Sequence, residues 1–342
     1  MPLRERDLIA RVRRGAARGK FAGLVRGIGD DCAVLRPPPR HDLLVTTDFT
    51  LEDVHFRRSW HPAAAVGHRC LARGLSDIAA MGGVPLAAFL SLALPLDLPQ
   101  SWVDGFLAGF LRLARRFRMP LAGGDTGQSP DGIVADIVVL GSVPRGKAIS
   151  RAGACVGDDI YVTGSLGSGL AVLEQLRAGA APVQRDLRNG RLTAAERKHF
   201  YPAPRVAVGN WLRQRGWASA MIDISDGLST ELAHLCEESR VGAWIARAAV
   251  PVAPGATFDQ ALHGGDEYEL LFTAPKASHG RIPDRIAGVP LRWIGTINRG
   301  PGVWLLGPDM KSRQELQAQG WEHFGESAPV RHRGHAAPRG AE

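Results

Sequence analysis

The sequence lacks most of the features that announce a function. Its four cysteines, Cys32, Cys70, Cys155 and Cys236, form no CxxC pair and join no histidine at zinc spacing. They read as free, mostly buried thiols in a reducing compartment. Cys32 follows two aspartates and is expected to be a small buried residue. No apolar run reaches the ~18 to 20 residues of a membrane helix. The longest, Val84 to Leu96, is broken by Pro85 and Pro95 and reads as a buried strand. The N-terminus carries Arg4, Glu5, Arg6 and Asp7 without the apolar region of a signal peptide, so the expected location is cytoplasmic. There is no GxxxxGK[ST] phosphate loop and no GxGxxG opening a helix. LGSGL at Leu166–Leu170 is not a nucleophile elbow, and no Ser/His/Asp or Cys/His set appears. The net charge of +8 suits nucleic acid or small anions equally. Its clusters, Arg11–Lys20 and Arg112–Arg118, match no nucleic-acid module, and the second reads as a solvated helix face. Neither nucleic acid nor membrane is an expected partner.

What is present is an ordinary globular composition, 45% hydrophobic over 342 residues. That length predicts two domains. Asp42–Asp48 reads as a strand, Ala63–Met81 as a helix stopped by Gly82-Gly83, and Trp102–Phe117 as a second helix. Ile133–Val143 reads as the last strand of the first half. After a turn-rich link at Gly146–Gly157, strands are expected at Asp159–Thr163, Ala220–Ile224, Glu269–Ala274 and Leu291–Ile297. Helices are expected at Gly169–Arg177, Ala203–Arg215 and Gly227–Ser239. The alternation argues for an α/β (α+β) class. The boundaries are a segment 1–26, a first domain 27–145, a second domain 146–325, and a disordered tail 326–342 rich in Pro, Gly, Arg and His.

Aspartates recur at element ends: Asp30 and Asp31 in GIGDDCAVL, Asp48 in TTD, Asp77 in LSDIAAMGG and Asp125 in LAGGDT. Asp223 and Asp226 follow in MIDISDGL, and Asp266 with Glu267 in HGGDEYEL. Any one alone is an ordinary cap or turn residue, and Asp226 before Gly227 fits a helix cap. Asp77 and Asp223 lie in apolar runs, where a carboxylate needs a cation or donors. Too few Lys or Arg accompany the motifs to pair them all. Mg²⁺ arriving with nucleotide phosphates is the natural compensation. Glycines such as Gly123, Gly124, Gly164, Gly167, Gly264 and Gly265 would let backbone approach those phosphates.

Taken in order, GIGDDCAVL, TTDFTLEDVHF, LSDIAAMGGVP, GGDT, SRAGACVGDDIYVTG, YPAPR, SAMIDISDGLSTEL, HGGDEYELLFT and GWEHF resemble the bacterial thiamine-monophosphate kinase family. They span about Gly27 to Phe324. Several resemble the wider group of aminoimidazole ribonucleotide synthetase and selenophosphate synthetase; VHF, YEL and GWEHF point to the thiamine branch. The resemblance implies two α/β domains, the first pairing its strands across a homodimer, with ATP and several Mg²⁺ ions in the cleft. It implies ATP-dependent phosphorylation of thiamine monophosphate to thiamine diphosphate, the last step of that cofactor's synthesis. It also implies metal ligation by Asp31, Thr46, Thr47, Asp48, Asp77, Asp125, Asp223 and Asp226, and ATP contacts from Gly124, Asp125, Arg151 and Ser225. Asp48, Asp77, Asp125 and Arg151 would be catalytic; His55, Asp266 and Trp321 would meet thiamine phosphate. Two departures stand out. Glu267 replaces the usual aspartate, and one extra methylene would shift a hydrogen bond or metal contact. Gly74, preceded by Arg73, stands where an asparagine is common. Alternatives are another ATP-dependent phosphotransferase or synthetase of the same superfamily, or a non-catalytic sensor of nucleotide or thiamine phosphates.

Overall fold

The computed structural model describes residues 5–16, 21–179, 192–309 and 311–323. The expected tail 326–342, Lys20 and Phe324 lie outside them. The first half runs α1 (Glu5–Ala16), β1 (Leu24–Arg26), β2 (Val34–Leu35), β3 (His41–Leu51), α2 (Ala63–Ala80), β4 (Val84–Leu94), α3 (Gln100–Arg116), β5 (Leu121–Gln128) and β6 (Val134–Pro144). The second runs β7 (Asp159–Thr163), α4 (Ser168–Arg177), α5 (Ala194–Phe200), α6 (Val206–Arg215), β8 (Ala220–Ile224), α7 (Leu228–Ser239), β9 (Gly242–Ala246), α8 (Phe258–His263), β10 (Glu269–Ala274), β11 (Arg285–Ile286), β12 (Val289–Asn298), β13 (Val303–Leu306) and β14 (Arg313–Glu315).

The first sheet has the order β3-β6-β4-β5, with β3 at an edge. Strand alternation puts Thr46 and Asp48 on one face of β3, and Leu43, Val45, Thr47 and Phe49 on the other. The Thr46 face meets α2, because Gly74 brings the helix against Val139, the cross-strand partner of Thr46. A Cβ on Gly74 would lie 2.5 Å from the Val139 side chain, so this position has no room for the asparagine common in the family. Two turns earlier on the same stripe, α2 touches α3 backbone to backbone: a Cβ on Gly67 would lie 2.0 Å from the Phe106 carbonyl oxygen. The helix stops where expected, and the stop is a Schellman motif. Gly82 takes φ 68° and donates to the Ala79 carbonyl, while Gly83 donates to that of Ile78.

The second sheet has the order β14-β13-β9-β12-β7-β10-β8, with β11 beside β12. Strands β8 and β10 are buried along their whole length. Packing joins the halves through α2, which lies against β8, β10 and α6. Gly209 permits the last contact, since a Cβ there would lie 2.0 Å from the Ala79 carbonyl oxygen.

Several expectations need correction. Cys32 and Cys155 are exposed, and only Cys70 and Cys236 are buried. Cys32 lies in the turn between β1 and β2, after the polar pair Asp30-Asp31. The helix expected from Ala203 starts at Val206, because Pro202 and Pro204 hold their predecessors out of helical geometry. Gly227, not Asp226, occupies the N-cap of α7, and no side chain caps it.

Candidate active site at the junction of the two halves

Helix α2 carries Arg69, Arg73 and Asp77 at successive i, i+4 positions, hence on one face, with Ser76 beside them. From this face it reaches both sheets. Thr46 on β3 donates its hydroxyl to Asp77. Ser76 donates to Asp223 at the buried end of β8, at 2.7 Å. Two carboxyls from separate halves thus meet, each bonded to one hydroxyl. Burial raises Asp77 to about 6, with the Asp48 charge adding to the rise. Burial, then the Asp77 charge, pushes Asp223 well above the carboxylate range. Burial and Glu231 raise Asp226 to about 6.

Basic partners reach two of the motifs. Arg69 donates to Asp266 at 2.7 Å, and Arg73 donates to Asp48 at 3.1 Å. Burial alone would raise Asp266, but Arg69 and Arg73 hold it well below the usual range. The loop bearing it is strained: Asp266 and Tyr268 take φ 60° and 52°. The Ser225 and Ile224 carbonyls fix that loop by accepting from the Asp266 and Tyr268 amides, at 2.6 and 2.9 Å. Glu231 in turn accepts from the Ser225 hydroxyl and the Asp226 amide.

A third corner is aromatic. His55 follows β3, and its Nδ1 accepts from the Leu51 amide at 2.9 Å, leaving the ring proton on Nε2. Burial and the neighbouring Arg73 lower its pKa to about 3, so the ring is neutral. His323 lies edge-on to His55 at 5.5 Å and to Trp321 at 5.8 Å. The segment arrives there because Gln319, Gly320 and Trp321 donate their amides to Ser229, Thr230 and the Asp226 carbonyl. Only glycine fits at 320, where a Cβ would lie 1.9 Å from that carbonyl oxygen.

Thr46, Asp48, Asp77, Asp223, Ser225, Asp226 and Asp266 therefore gather at the junction, with His55 and Trp321 at its aromatic corner. Asp125 does not join Asp77 on the α2 face. It stands in a cross-strand row with Ser91, Asp136 and Phe49, on the opposite face with Thr47. Gly124 precedes it at φ 150°, pressed on the Leu90 carbonyl. Asp31 is exposed and bonds through its amide to Asp30. Arg151 is exposed and near enough to act on Asp77. Glu267 lies outside the cluster: it accepts from the Gly167 and Gly169 amides and from Lys198. Sequence reasoning missed Arg69, Ser76, Glu231, Tyr268 and His323. The helical spacing of Arg69, Arg73 and Asp77 was the available signal.

Among the described residues, no three Asp, Glu, His or Cys side chains converge to hold a metal unaided. The donors at Asp77 and Asp223 are hard oxygens. Mg²⁺ commonly takes one or two carboxylates and completes its shell with water and substrate phosphates, so this set fits it.

The family model described as AIR synthase related protein, N-terminal domain, matches residues 29–143; the C-terminal domain model matches 156–304. The thiamine-monophosphate kinase of Escherichia coli strain K12 is 36% identical over 284 residues, covering 79% of this chain and 83% of that protein. The chain belongs to the thiamine-monophosphate kinase family. The crystal structure of the kinase from Stenotrophomonas maltophilia K279a superposes with a TM-score of 0.75 at 34% identity, over 89% of this chain and 97% of that one. AaThiL complexed with AMPPCP and TMP superposes with a TM-score of 0.72 at 29% identity, over 94% and 97%. The two-domain α/β fold expected from the motifs is thus the fold of the kinase family. No helix among the described residues is long and apolar enough to cross a membrane.

Proposed function

We propose that this chain transfers the γ-phosphoryl group of ATP to the phosphate of thiamine monophosphate, giving thiamine diphosphate. The observation that carries the reading is the pair of half-buried Asp77 and buried Asp223 where the halves meet in a member of this family. The relative AaThiL, complexed with AMPPCP and TMP, supports both substrates. Mg²⁺ bound here would offset repulsion between the two phosphates and orient the transferred group. Asp77 and Asp223 would hold it, with Thr46, Asp48 and Asp226 beside them. Asp31, Thr47 and Asp125 join the ligand set on the motif match alone, as do Gly124, Arg151 and Ser225 for ATP.

No strong general base is required, because a phosphate monoester has a second pKa near ~6 and is largely dianionic at neutral pH. His55, neutral and presenting Nε2–H, is suited to donate to the acceptor. Trp321 offers a face to the thiazolium cation. Asp266, held ionised by two arginines, is assigned to thiamine phosphate on the motif match alone. Transfer is direct, from nucleotide to acceptor. ATP labelled in the γ-phosphate tests this: the label should pass to thiamine diphosphate, and labelled protein would contradict it.

The reading includes a homodimer through β3. Its edge position supports this, as do Leu43, Val45 and Phe49, exposed by 49%, 58% and 57% on the face away from α2. Sedimentation should give twice the chain mass.

A further inference from the structure

Arg73 stands at the centre of the junction. Its Nε donates to the Tyr268 hydroxyl at 3.1 Å, and one terminal nitrogen donates to Asp48 at 3.1 Å and to the Phe49 carbonyl at 2.7 Å. The other terminal nitrogen makes the longest contact of the group, 3.4 Å to Asp266. That carboxylate already has a nearer partner in Arg69, at 2.7 Å. A guanidinium has five N–H donors in one plane, and this outer edge of Arg73 is the part least engaged. The side chain is 13% exposed, against 4% for Arg69.

The position is what an acceptor phosphate requires. In the reading above, the thiazolium lies at the corner of His55, His323 and Trp321, and the donor phosphates lie by Asp77 and Asp223. The phosphate of thiamine monophosphate is tied to the ring by a short alkyl arm, so it must bridge these two places. Among the described residues, Arg73 is a cation that acts on both places. It bonds Asp48 on the metal side, and its charge also reaches His55, Asp77 and Asp226. Lys198 and Arg205, by contrast, are committed to Glu267 and Glu269.

We propose that Arg73 binds the phosphate of the acceptor through its outer guanidinium edge, so that the site selects a phosphate monoester over the free alcohol. Asp266 stays on Arg69, and Asp48 stays on the inner nitrogen. This assignment rests on the thiamine-monophosphate reading.

The test is calorimetric titration of thiamine monophosphate, and separately of thiamine, into wild-type protein, Arg73→Gln and Arg73→Lys, with no ATP present. Wild type should bind the monophosphate more tightly. Arg73→Gln should lose roughly tenfold or more for the monophosphate while changing little for thiamine, as expected for one lost charge-assisted contact. Arg73→Lys keeps the charge but not the fork, and should recover part of the loss; it also serves if the glutamine variant does not fold. Parallel losses for both ligands, or no loss for either, would overturn the assignment. A wild-type protein that binds neither ligand would instead refute the functional reading on which it rests.

Discussion

Ser76 on α2 donates its hydroxyl to Asp223 on β8 across the junction of the two halves, at 2.7 Å. The neighbouring residue, Asp77, takes the hydroxyl of Thr46 from the other sheet. One turn of one helix thus brings a carboxyl from each half to one place, Asp223 buried and Asp77 half-buried. Each hydroxyl supplies a single donor, so ionising both carboxyls there would leave most of their charge uncompensated.

Stabilisation by Mg²⁺ should therefore grow as pH rises through about 6. The folded values of Asp77, near 6, and Asp223 are raised, chiefly by burial. Such groups favour the fold while neutral; that contribution is full below the ordinary carboxylate value and is lost as pH climbs through the raised one. A cation restores it. Buried neutral histidines, including His55 and His61, act oppositely on absolute stability, so the useful readout is the difference with and without Mg²⁺ at one pH. Thermal unfolding should show a small increment near ~pH 5 and a larger one near ~pH 8.

Glu267→Asp should destabilise the protein by about 1 to 2 kcal/mol without weakening Mg²⁺ binding. The longer side chain reaches the Gly167 and Gly169 amides at 2.8 and 3.0 Å and Lys198 at 2.5 Å. Shortening it abandons one of these buried partners. Denaturant unfolding and a metal titration separate the two effects.

Glu269→Gln should cost about 3 to 5 kcal/mol, the range for breaking a buried ion pair. Glu269 is 1% exposed, takes two hydrogen bonds from Arg205 at 2.6 Å and lies 3.1 Å from Lys198. Neutralising it leaves Arg205 without its charge partner. The unfolding midpoint should fall markedly while the secondary-structure spectrum of the folded protein is kept.

Gly320→Ala should weaken thiamine monophosphate binding roughly tenfold and leave ATP binding unchanged. The new methyl cannot sit against the Asp226 carbonyl, so the Trp321 amide loses its acceptor and the aromatic corner opens. Because the segment lies on the surface, the unfolding midpoint should move by only a few degrees. Quenching of tryptophan emission by ligand reports the change.

The sequence made the layered fold legible where periodicity was strong. Ala63–Met81 predicted α2 almost to the residue, and Ala220–Ile224 and Glu269–Ala274 match β8 and β10. Short elements such as β1, β2, β11 and β14 escaped, because two or three residues carry no period. Apolar surroundings marked Asp77 and Asp223 as unusual, and the fold does bring them together. Composition could not reveal that Arg69 and Arg73 meet Asp266, some two hundred residues away in the chain, since long-range pairing leaves no local pattern. Nor could motif order tell that Glu267 turns away from Asp266 towards Lys198. The left-handed backbone at Asp266 and Tyr268 sends the side chains of this run to different sites.

The most direct test is the rate of thiamine diphosphate formation from ATP and thiamine monophosphate, followed against Mg²⁺ concentration in wild type and Asp223→Asn. The wild type should turn over only with the metal. The variant should lose at least ~100-fold in rate, while its unfolding midpoint without metal stays level or rises, because the amide spares the cost of ionising a buried carboxyl. Undiminished turnover in a folded Asp223→Asn protein would contradict the account.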